Sequence, residues 1–303
     1  MASFRRYLRA KRTVDDRALD RRLVDAFGER LAERGENGLR MLEVGAGIGT
    51  MLARLWEWEI LPTGMIHYTA VDVDPETTAG IEPYLREWAA ERSVSIESSE
   101  AGSGSKGGEI RLDGPSRTVE LETVTAEAVS YAATVTGEFD ALIGAALLDI
   151  LGLEGLETLV GSLAPDGVYY FPITFDGATR FRPSHPADRA IERHYHDHMD
   201  RKPGGNSRAG GDALDALRRM DGTTVLGVAG SDWIVRPIDG EYPGDEAYFL
   251  RWILDSVSEA VGEVADDGFG ALDEWLSARR DQLADGELVY LTHQLDMLGR
   301  VDP

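Results

Sequence analysis

Three glycines at alternate positions, preceded by an acid, form the most informative chemical pattern in this sequence. An apolar segment starting at Met41 contains Glu43, and Gly45, Gly47 and Gly49 follow it before an apolar run with helical spacing. Glycine allows the backbone to turn sharply from a strand into a helix and allows a ligand to approach the main chain closely. The pattern therefore predicts a ligand-binding turn between a strand and a helix.

A second acid is spaced to complete a nucleoside site. Asp72 ends the next apolar segment, residues 66–72, and lies 23 positions after Gly49, with Val73 directly behind it. At this spacing a carboxylate at the tip of the neighbouring strand can accept hydrogen bonds from a ribose diol. The two features together predict that the protein binds a nucleoside cofactor.

The details of the glycine loop favour a cationic ligand over a dinucleotide. A dinucleotide site has the pattern G-x-G-x-x-G, whereas here Gly49 is followed by Thr50 and the glycines alternate. Glu43 would repel a pyrophosphate, but it suits a ligand with positive charge, such as an ammonium or a sulfonium.

The segment Glu43-Val-Gly-Ala-Gly-Ile-Gly49 resembles the first motif of class I S-adenosylmethionine-dependent methyltransferases, which has the form E/D-x-G-x-G-x-G. The resemblance covers residues 39–174. It implies an α/β fold with a Rossmann-like, mostly parallel sheet of seven strands, helices on both faces and an antiparallel last strand. The cofactor-binding residues that it implies are Glu43, Gly45, Gly47 and Gly49 for the methionine end, Asp72 for the ribose and Glu127 for the adenine amino group. Ala46, Val73 and Ala145 are further cofactor-binding candidates, and the small side chain of Ala145 suits a wall against which the cofactor lies.

Composition narrows the range of partners. The net charge is -23, and lysine occurs three times in 303 residues. This composition resembles that of halophilic proteins; an ordinary acidic protein from a GC-rich genome is the alternative. An acidic field repels nucleic acid and anionic lipid, so neither is predicted as a partner. Cysteine is absent, and we found neither a membrane-spanning run nor a secretory signal, so a cytoplasmic location is predicted.

The order of apolar segments predicts four regions. These are an N-terminal helical cap (1–38), the cofactor-binding core (39–175) with an inserted hairpin at about 94–117, a helical lid for the acceptor (176–222), and a segment that completes the sheet (223–303). The cap is basic and amphipathic, so membrane or RNA binding is an alternative to covering the cofactor or a partner subunit. A homodimer is one possibility.

Candidate catalytic residues come from a cluster of histidines in the predicted lid. Methyl transfer is an in-line displacement that requires alignment, exclusion of water and sometimes removal of a proton. His194 and His198 share one face of a predicted helix, so we assign a base to this pair. A polar cap helix is the alternative; a metal pair lacks a third ligand at convincing spacing, so no metal is predicted.

Candidate acceptor-binding residues follow the predicted fourth strand (139–145) and fifth strand (168–174) of the sheet. Arg201, Asn206 and Arg208 flank a glycine-rich turn that would suit a carboxylate or phosphate, although a plain surface loop is the alternative. Further candidates for the acceptor pocket are Asp149, Asp176 and Trp233.

The sequence therefore predicts an S-adenosylmethionine-dependent methyltransferase that methylates oxygen or nitrogen of a small or medium metabolite with an anionic group. The Asn/Asp-Pro-Pro-Tyr/Phe motif of amino-group methyltransferases that act on bases or glutamine is missing after strand four, where Ala145-Ala-Leu-Leu stands. A protein methyltransferase and a non-catalytic S-adenosylmethionine-binding protein remain as alternatives. A dehydrogenase is disfavoured by Glu43 and the glycine spacing.

Overall fold

The computed structural model describes residues 3–34, 38–99, 109–265 and 269–303. Its strands are joined in one sheet. They are β1 (Leu39–Val44), β2 (Gly64–Asp72), β3 (Ser95–Ser99), β4 (Glu109–Asp113), β5 (Arg117–Thr125), β6 (Phe139–Ile143), β7 (Leu163–Arg182), β8 (Thr223–Gly230), β9 (Trp233–Val235) and β10 (Val289–Val301).

Helices alternate with the central strands, and two of them, α1 and α2, precede the first strand. They are α1 (Phe4–Ala18), α2 (Arg21–Arg34), α3 (Thr50–Glu57), α4 (Pro75–Thr78), α5 (Ile81–Ala89), α6 (Ala128–Ala132), α7 (Leu148–Leu151), α8 (Leu156–Val160), α9 (Asp188–Arg201), α10 (Ala209–Arg219), α11 (Glu246–Val264) and α12 (Ala271–Ala284). In the described part of the chain, no helix is long and apolar enough to cross a membrane.

The sheet order is β3-β4-β5-β2-β1-β6-β7-β10-β8, with β9 beside β10. The pairs from β5 through β7 are parallel, whereas β10 runs antiparallel between β7 and β8. The predicted Rossmann-like α/β fold with an antiparallel last strand is confirmed. The predicted number of seven strands is wrong, because the described residues contribute ten strands to the sheet.

Two local features account for the additional strands. The hairpin of β3 and β4 extends the sheet through antiparallel pairing with β5. These strands lie inside the predicted hairpin segment 94–117, and its glycine- and serine-rich connection, residues 100–108, lies outside the described residues. At the other edge, the strand is interrupted after Gly230, so that β8 and β9 pair with different parts of β10.

Strand β7 is much longer than predicted and ends at Arg182 instead of near residue 174. Residues 176–182 therefore belong to the sheet, although the lid was predicted to begin there; the helices α9 and α10 come later. The reason is a long-range partner, because Val289 of β10 pairs with Arg182. Charged residues and a glycine interrupt the apolar pattern over this stretch, so the local sequence does not indicate a strand.

The sheet buries both of its faces. Tyr170 of β7 stacks on Phe27 of α2, with ring centroids 5.3 Å apart. The neighbouring Tyr169 and Phe171 point to the opposite face, where Leu217 of α10 belongs to the same apolar cluster. Such alternation is expected in a strand, since successive side chains point to opposite faces. Helices therefore cover both sides, and the carboxyl ends of the parallel strands stay available for a ligand.

Candidate functional site

The loop after β1 requires its glycines. Gly45, Gly47 and Gly49 have φ angles of +67°, +57° and +83°, a region that favours glycine. A Cβ atom at Gly45 would also lie 2.9 Å from Cδ1 of Leu147. The loop thus brings bare backbone to the edge of the sheet, and side chains there would be both strained and crowded.

Asp72 links the tip of β2 to this loop. Its Oδ2 accepts a hydrogen bond from the backbone N–H of Gly47 at 2.8 Å, and its Oδ1 accepts one from Asp74 at 3.0 Å. Burial raises the pKa of Asp72, and these two hydrogen bonds offset part of the rise. A carboxylate oxygen has two lone pairs, so each oxygen can accept a further bond from a ligand hydroxyl.

Glu43 is a buried acid behind the loop, with 2% of its surface exposed. Its Oε2 accepts a hydrogen bond from the hydroxyl of Tyr68 at 2.6 Å. Burial raises the pKa of Glu43 to about 7, although the bond from Tyr68 and the charge of Arg54 oppose the rise. The carboxyl group is therefore poised to ionise near neutral pH when a cation binds beside it.

A cavity of about 560 Å³ lies at the carboxyl ends of β1, β2, β5 and β6 and beside Ile173 and Phe175 in the middle of β7. Helix α1 covers it with Phe4, Tyr7 and Leu8, while α9 and α11 add Tyr195 and Ile253. Ten of the residues predicted from the sequence line this cavity, and they are Glu43, Gly45, Ala46, Gly47, Asp72, Val73, Glu127, Ala145, Asp149 and Trp233. Gly49 lies behind the loop, where a Cβ atom would meet Ile81 at 3.2 Å.

Glu127 lines the cavity but already has a structural role. Its Oε1 and Oε2 accept hydrogen bonds from the backbone N–H groups of Val129 and Ser130, at 3.0 and 2.7 Å, and so cap α6. Burial raises the pKa of Glu127, but these bonds outweigh it, so the pKa lies below its ordinary value. The carboxylate stays charged and keeps lone pairs for a ligand; its contact with an adenine remains a prediction.

The two predicted catalytic histidines lie elsewhere. His198 Nε2 is 2.7 Å from Oε2 of Glu263 on α11, and the ring of His194 packs edge-on against Phe269. Among the residues that the structure places around the cavity, neither histidine occurs. Helix α9 instead turns Tyr195 and Met199 toward the cavity, a rotation of one residue, or about 100°.

The predicted anion-binding turn is also separate from the cavity. Asn206 donates a hydrogen bond to Asp212 at 3.0 Å, and the backbone N–H of Arg208 donates to Asn206 Oδ1. Asp176 accepts a bond from the N–H of Gly211 at 2.8 Å. Over the described ranges, none of Asp176, Arg201, Asn206 and Arg208 lines the cavity. The predicted turn therefore makes its hydrogen bonds to neighbouring residues of the protein, away from the cavity.

A polar group on α1 reaches the cavity without having been predicted. The ammonium of Lys11 donates a hydrogen bond to Asp15 Oδ2 at 2.7 Å, and Trp233 Nε1 donates to Asp15 Oδ1 at 3.1 Å. Asp15 is 5% exposed. The signal in the sequence is a charged pair four residues apart on the apolar face of an amphipathic helix, where a charge is costly unless it is paired.

Strain in β7 shapes another wall. Ile173, a β-branched residue, has a φ angle of +58°, and its N–H donates a hydrogen bond to Asp296 Oδ1 at 2.8 Å. The carboxylate of the fully buried Asp296 also accepts bonds from the Tyr170 hydroxyl and the N–H of Asp20. Asp296 therefore holds the strained residue, which lines the cavity, and the α1–α2 connection in place.

Neither a protein-family model nor a curated protein matches the sequence. Among solved structures, the chain is similar to a SAM-dependent methyltransferase from Geobacter sulfurreducens in complex with S-adenosyl-L-homocysteine, with 15% identity, a TM-score of 0.46 and coverage of 100% of both chains. It is also similar to the cyclase SpnF, with 17% identity, a TM-score of 0.43 and coverage of 93% of this chain and 80% of the other. A third is the plantazolicin methyltransferase BpumL in complex with SAH, with 12% identity, a TM-score of 0.40 and coverage of 98% and 90%.

Proposed function

We propose that the protein is an S-adenosylmethionine-dependent methyltransferase that acts on a small or medium acceptor bound in the same cavity. The observation that carries the proposal is the hydrogen bond from Gly47 N–H to Asp72. It joins the left-handed glycine loop to the acid at the tip of β2, and both line the same cavity as the buried Glu43.

The residues on this wall fit S-adenosylmethionine, which supplies a methyl group on a positively charged sulfur. Glu43 offers a buried carboxyl group to the cationic methionine end, and burial strengthens its attraction for a positive charge. Asp72 offers free lone pairs to the ribose hydroxyls. Ala126, Glu127 and Ala128 line the side of the cavity where the base would lie.

The chain's own part in the reaction is to align, shield and accept a proton. Phe4, Tyr7 and Leu8 close the cavity from α1 and exclude water. The strained Ile173 forms a rigid part of the wall. Burial raises the pKa of Asp149 to about 6, with its own N–H and Lys11 opposing the rise, so this carboxylate can take up a proton from an acceptor near neutral pH.

The size of the cavity supports a small acceptor. Its volume of about 560 Å³ falls within the range of small-molecule and cofactor sites, about 300–1,000 Å³. Cofactor and acceptor must share this volume under the cover of α1, α9 and α11, so a folded protein or a duplex would have to displace a helix to reach the transferred methyl group.

Calorimetric titration with S-adenosylmethionine and S-adenosylhomocysteine tests the proposal, in molar KCl and in dilute buffer. We expect Asp72→Ala to weaken binding by about a hundredfold, because hydrogen bonds to a charged group contribute about 1.5–3 kcal/mol each. Asp215→Ala is the control, since Asp215 lies on α10 and is 56% exposed. Absence of binding by the wild-type protein in both buffers would refute the proposal.

A further inference from the structure

Two buried acceptor atoms of the cavity-lining residues lack a hydrogen-bond partner within the described chain, and they are Oδ1 of Asp149 and Oε1 of Gln294. One buried donor is in the same state, Nη2 of Arg54, which lies 3.8 Å from Oδ2 of Asp15 in an ion pair. Gln294 is 2% exposed, so its carbonyl oxygen has been taken out of water without compensation. A buried unsatisfied acceptor costs about 1–3 kcal/mol. Both atoms accept hydrogen bonds, so a ligand that donates them would remove this cost.

Aromatic rings line the same cavity and form what we call the aromatic wall: Tyr7, Tyr195, Trp233 and Tyr290. Asp149 lies within electrostatic reach of this wall, since burial and then the charge of Asp149 raise the pKa of Tyr195 to about 12. The face of an aromatic ring is electronegative and attracts cations.

The charges around the cavity are unbalanced in favour of acids. Its lining cations are Lys11 and Arg54. The ammonium of Lys11 is bonded to Asp15, and the guanidinium of Arg54 donates to Asp16 at 2.5 Å. Glu43, Asp72 and Asp149 line the cavity in addition, and no ion pair within the described ranges involves any of these three. Glu43 and Asp72 belong to the proposed cofactor wall, which leaves Asp149 for the acceptor.

We propose that the methyl acceptor is an amine that binds as an ammonium between Asp149, Gln294 and the aromatic wall, and that its nitrogen is methylated. The inference rests on the proposed function and specifies its substrate class. It also replaces the expectation of an anionic acceptor, which depended on Arg201 and Arg208; neither residue lines the cavity within the described chain.

For a primary amine, loss of one proton precedes transfer of the methyl group. One N–H proton passes from the ammonium to the carboxylate of Asp149, which leaves a lone pair on nitrogen. That lone pair forms the new bond to the methyl carbon while the electron pair of the carbon–sulfur bond goes to sulfur. The products are a secondary ammonium and a neutral thioether, and Asp149 later releases its proton to water.

Benzylamine, benzyl alcohol and benzoate provide the test, because they share one ring and differ in charge. Each is titrated calorimetrically into the protein with and without S-adenosylhomocysteine. We expect benzylamine to bind at least about tenfold more tightly than benzyl alcohol, and benzoate to bind most weakly. Equal or tighter binding of benzyl alcohol or benzoate would overturn the proposal.

Variants of Asp149 and Tyr195 separate the contribution of the carboxylate charge from that of the aromatic ring. Asp149→Asn retains the shape of the side chain, and we expect it to lower the ratio of benzylamine affinity to benzyl alcohol affinity by about tenfold. Tyr195→Phe retains the ring and should preserve the preference, whereas Tyr195→Ala should reduce it. A benzylamine preference that Asp149→Asn leaves intact would overturn the proposal. Unchanged circular dichroism and unchanged S-adenosylhomocysteine affinity show that each variant is folded.

The two proposals fail in different ways. If S-adenosylhomocysteine does not bind, the proposed function is refuted, and the three ring compounds still decide whether the cavity prefers an ammonium. If S-adenosylhomocysteine binds but benzylamine shows no preference, the amine assignment alone is refuted. Methyl transfer to benzylamine, followed as S-adenosylhomocysteine formation, would support both.

Discussion

Replacing Glu43 by glutamine should change how the stability of the protein depends on pH. The pKa of Glu43 is about 7, against an ordinary value of 4.5, chiefly because of burial. A raised pKa means that the folded state holds the proton more tightly than the unfolded state does. The protonated acid is therefore fully stabilising below about pH 4.5, and this stability is lost as pH rises through 7.

The magnitude follows from the two pKa values. They differ by roughly 2.5, and each pKa unit corresponds to about 1.4 kcal/mol, so the full loss is about 3 kcal/mol. Most of it, about 2–3 kcal/mol, falls between about pH 5 and pH 8. Glutamine cannot ionise, yet its carbonyl oxygen can still accept the hydrogen bond from Tyr68.

Urea denaturation at several pH values measures the effect. We expect the unfolding free energy of Glu43→Gln to rise relative to that of the wild type by about 2–3 kcal/mol from about pH 5 to pH 8. Other buried acids, such as Asp149, titrate in both proteins and so cancel in the difference. Glu127→Gln is the matched control, because its lowered pKa places its titration below this range.

Parallel stability curves for the wild type and Glu43→Gln would refute this reasoning, since they would mean that the pKa of Glu43 is the same in the folded and unfolded states. A second measurement uses the cofactor. If a cation binds beside Glu43, the affinity of the wild type for S-adenosylmethionine should increase as pH rises through about 7, with release of a proton. Glu43→Gln should lose this dependence, and an unchanged pH profile would count against Glu43 as the partner of the cation.

Three other substitutions test separate parts of the site. Gly45→Ala should abolish cofactor binding and lower the unfolding free energy by about 1–2 kcal/mol because of its positive φ angle, with a further loss because the new Cβ atom would lie 2.9 Å from Leu147. Gly137→Ala is the control for backbone strain in urea titrations, because Gly137 has a φ angle of +69° and open space around it. Asp296→Ala should cost about 3 kcal/mol or more, because it leaves buried donors unpaired; a loss below about 1 kcal/mol in thermal denaturation would contradict its role. His198→Ala should leave cofactor affinity and turnover unchanged and cost about 0.5–3 kcal/mol, because it removes a side chain that is 8% exposed; a large drop in turnover would restore this histidine to the mechanism.

Much of the proposed cofactor wall was predictable from the sequence, because its constraints are local. A left-handed backbone turn requires glycine, and Gly45, Gly47 and Gly49 stand in that conformation. The location of Asp72 beside the glycine loop was predicted from its position at the end of an apolar strand. The resemblance carried by the glycine motif likewise implied the Rossmann-like sheet, in which crossover helices join the parallel strands. What these patterns share is that a few neighbouring residues suffice to specify them.

The rest was decided by contacts between distant parts of the chain. Local sequence predicted that α9 is a helix but left open which face meets the cavity, because only Ile191 and His198 are buried on it. Packing against α11 pairs His198 with Glu263 and turns Tyr195 inward. In the same way, long-range pairing with β10 extends β7 through residue 182. A helical period sets the angle between side chains, whereas the direction in which they point depends on neighbours that are distant along the chain, 65 residues away in the case of His198 and Glu263.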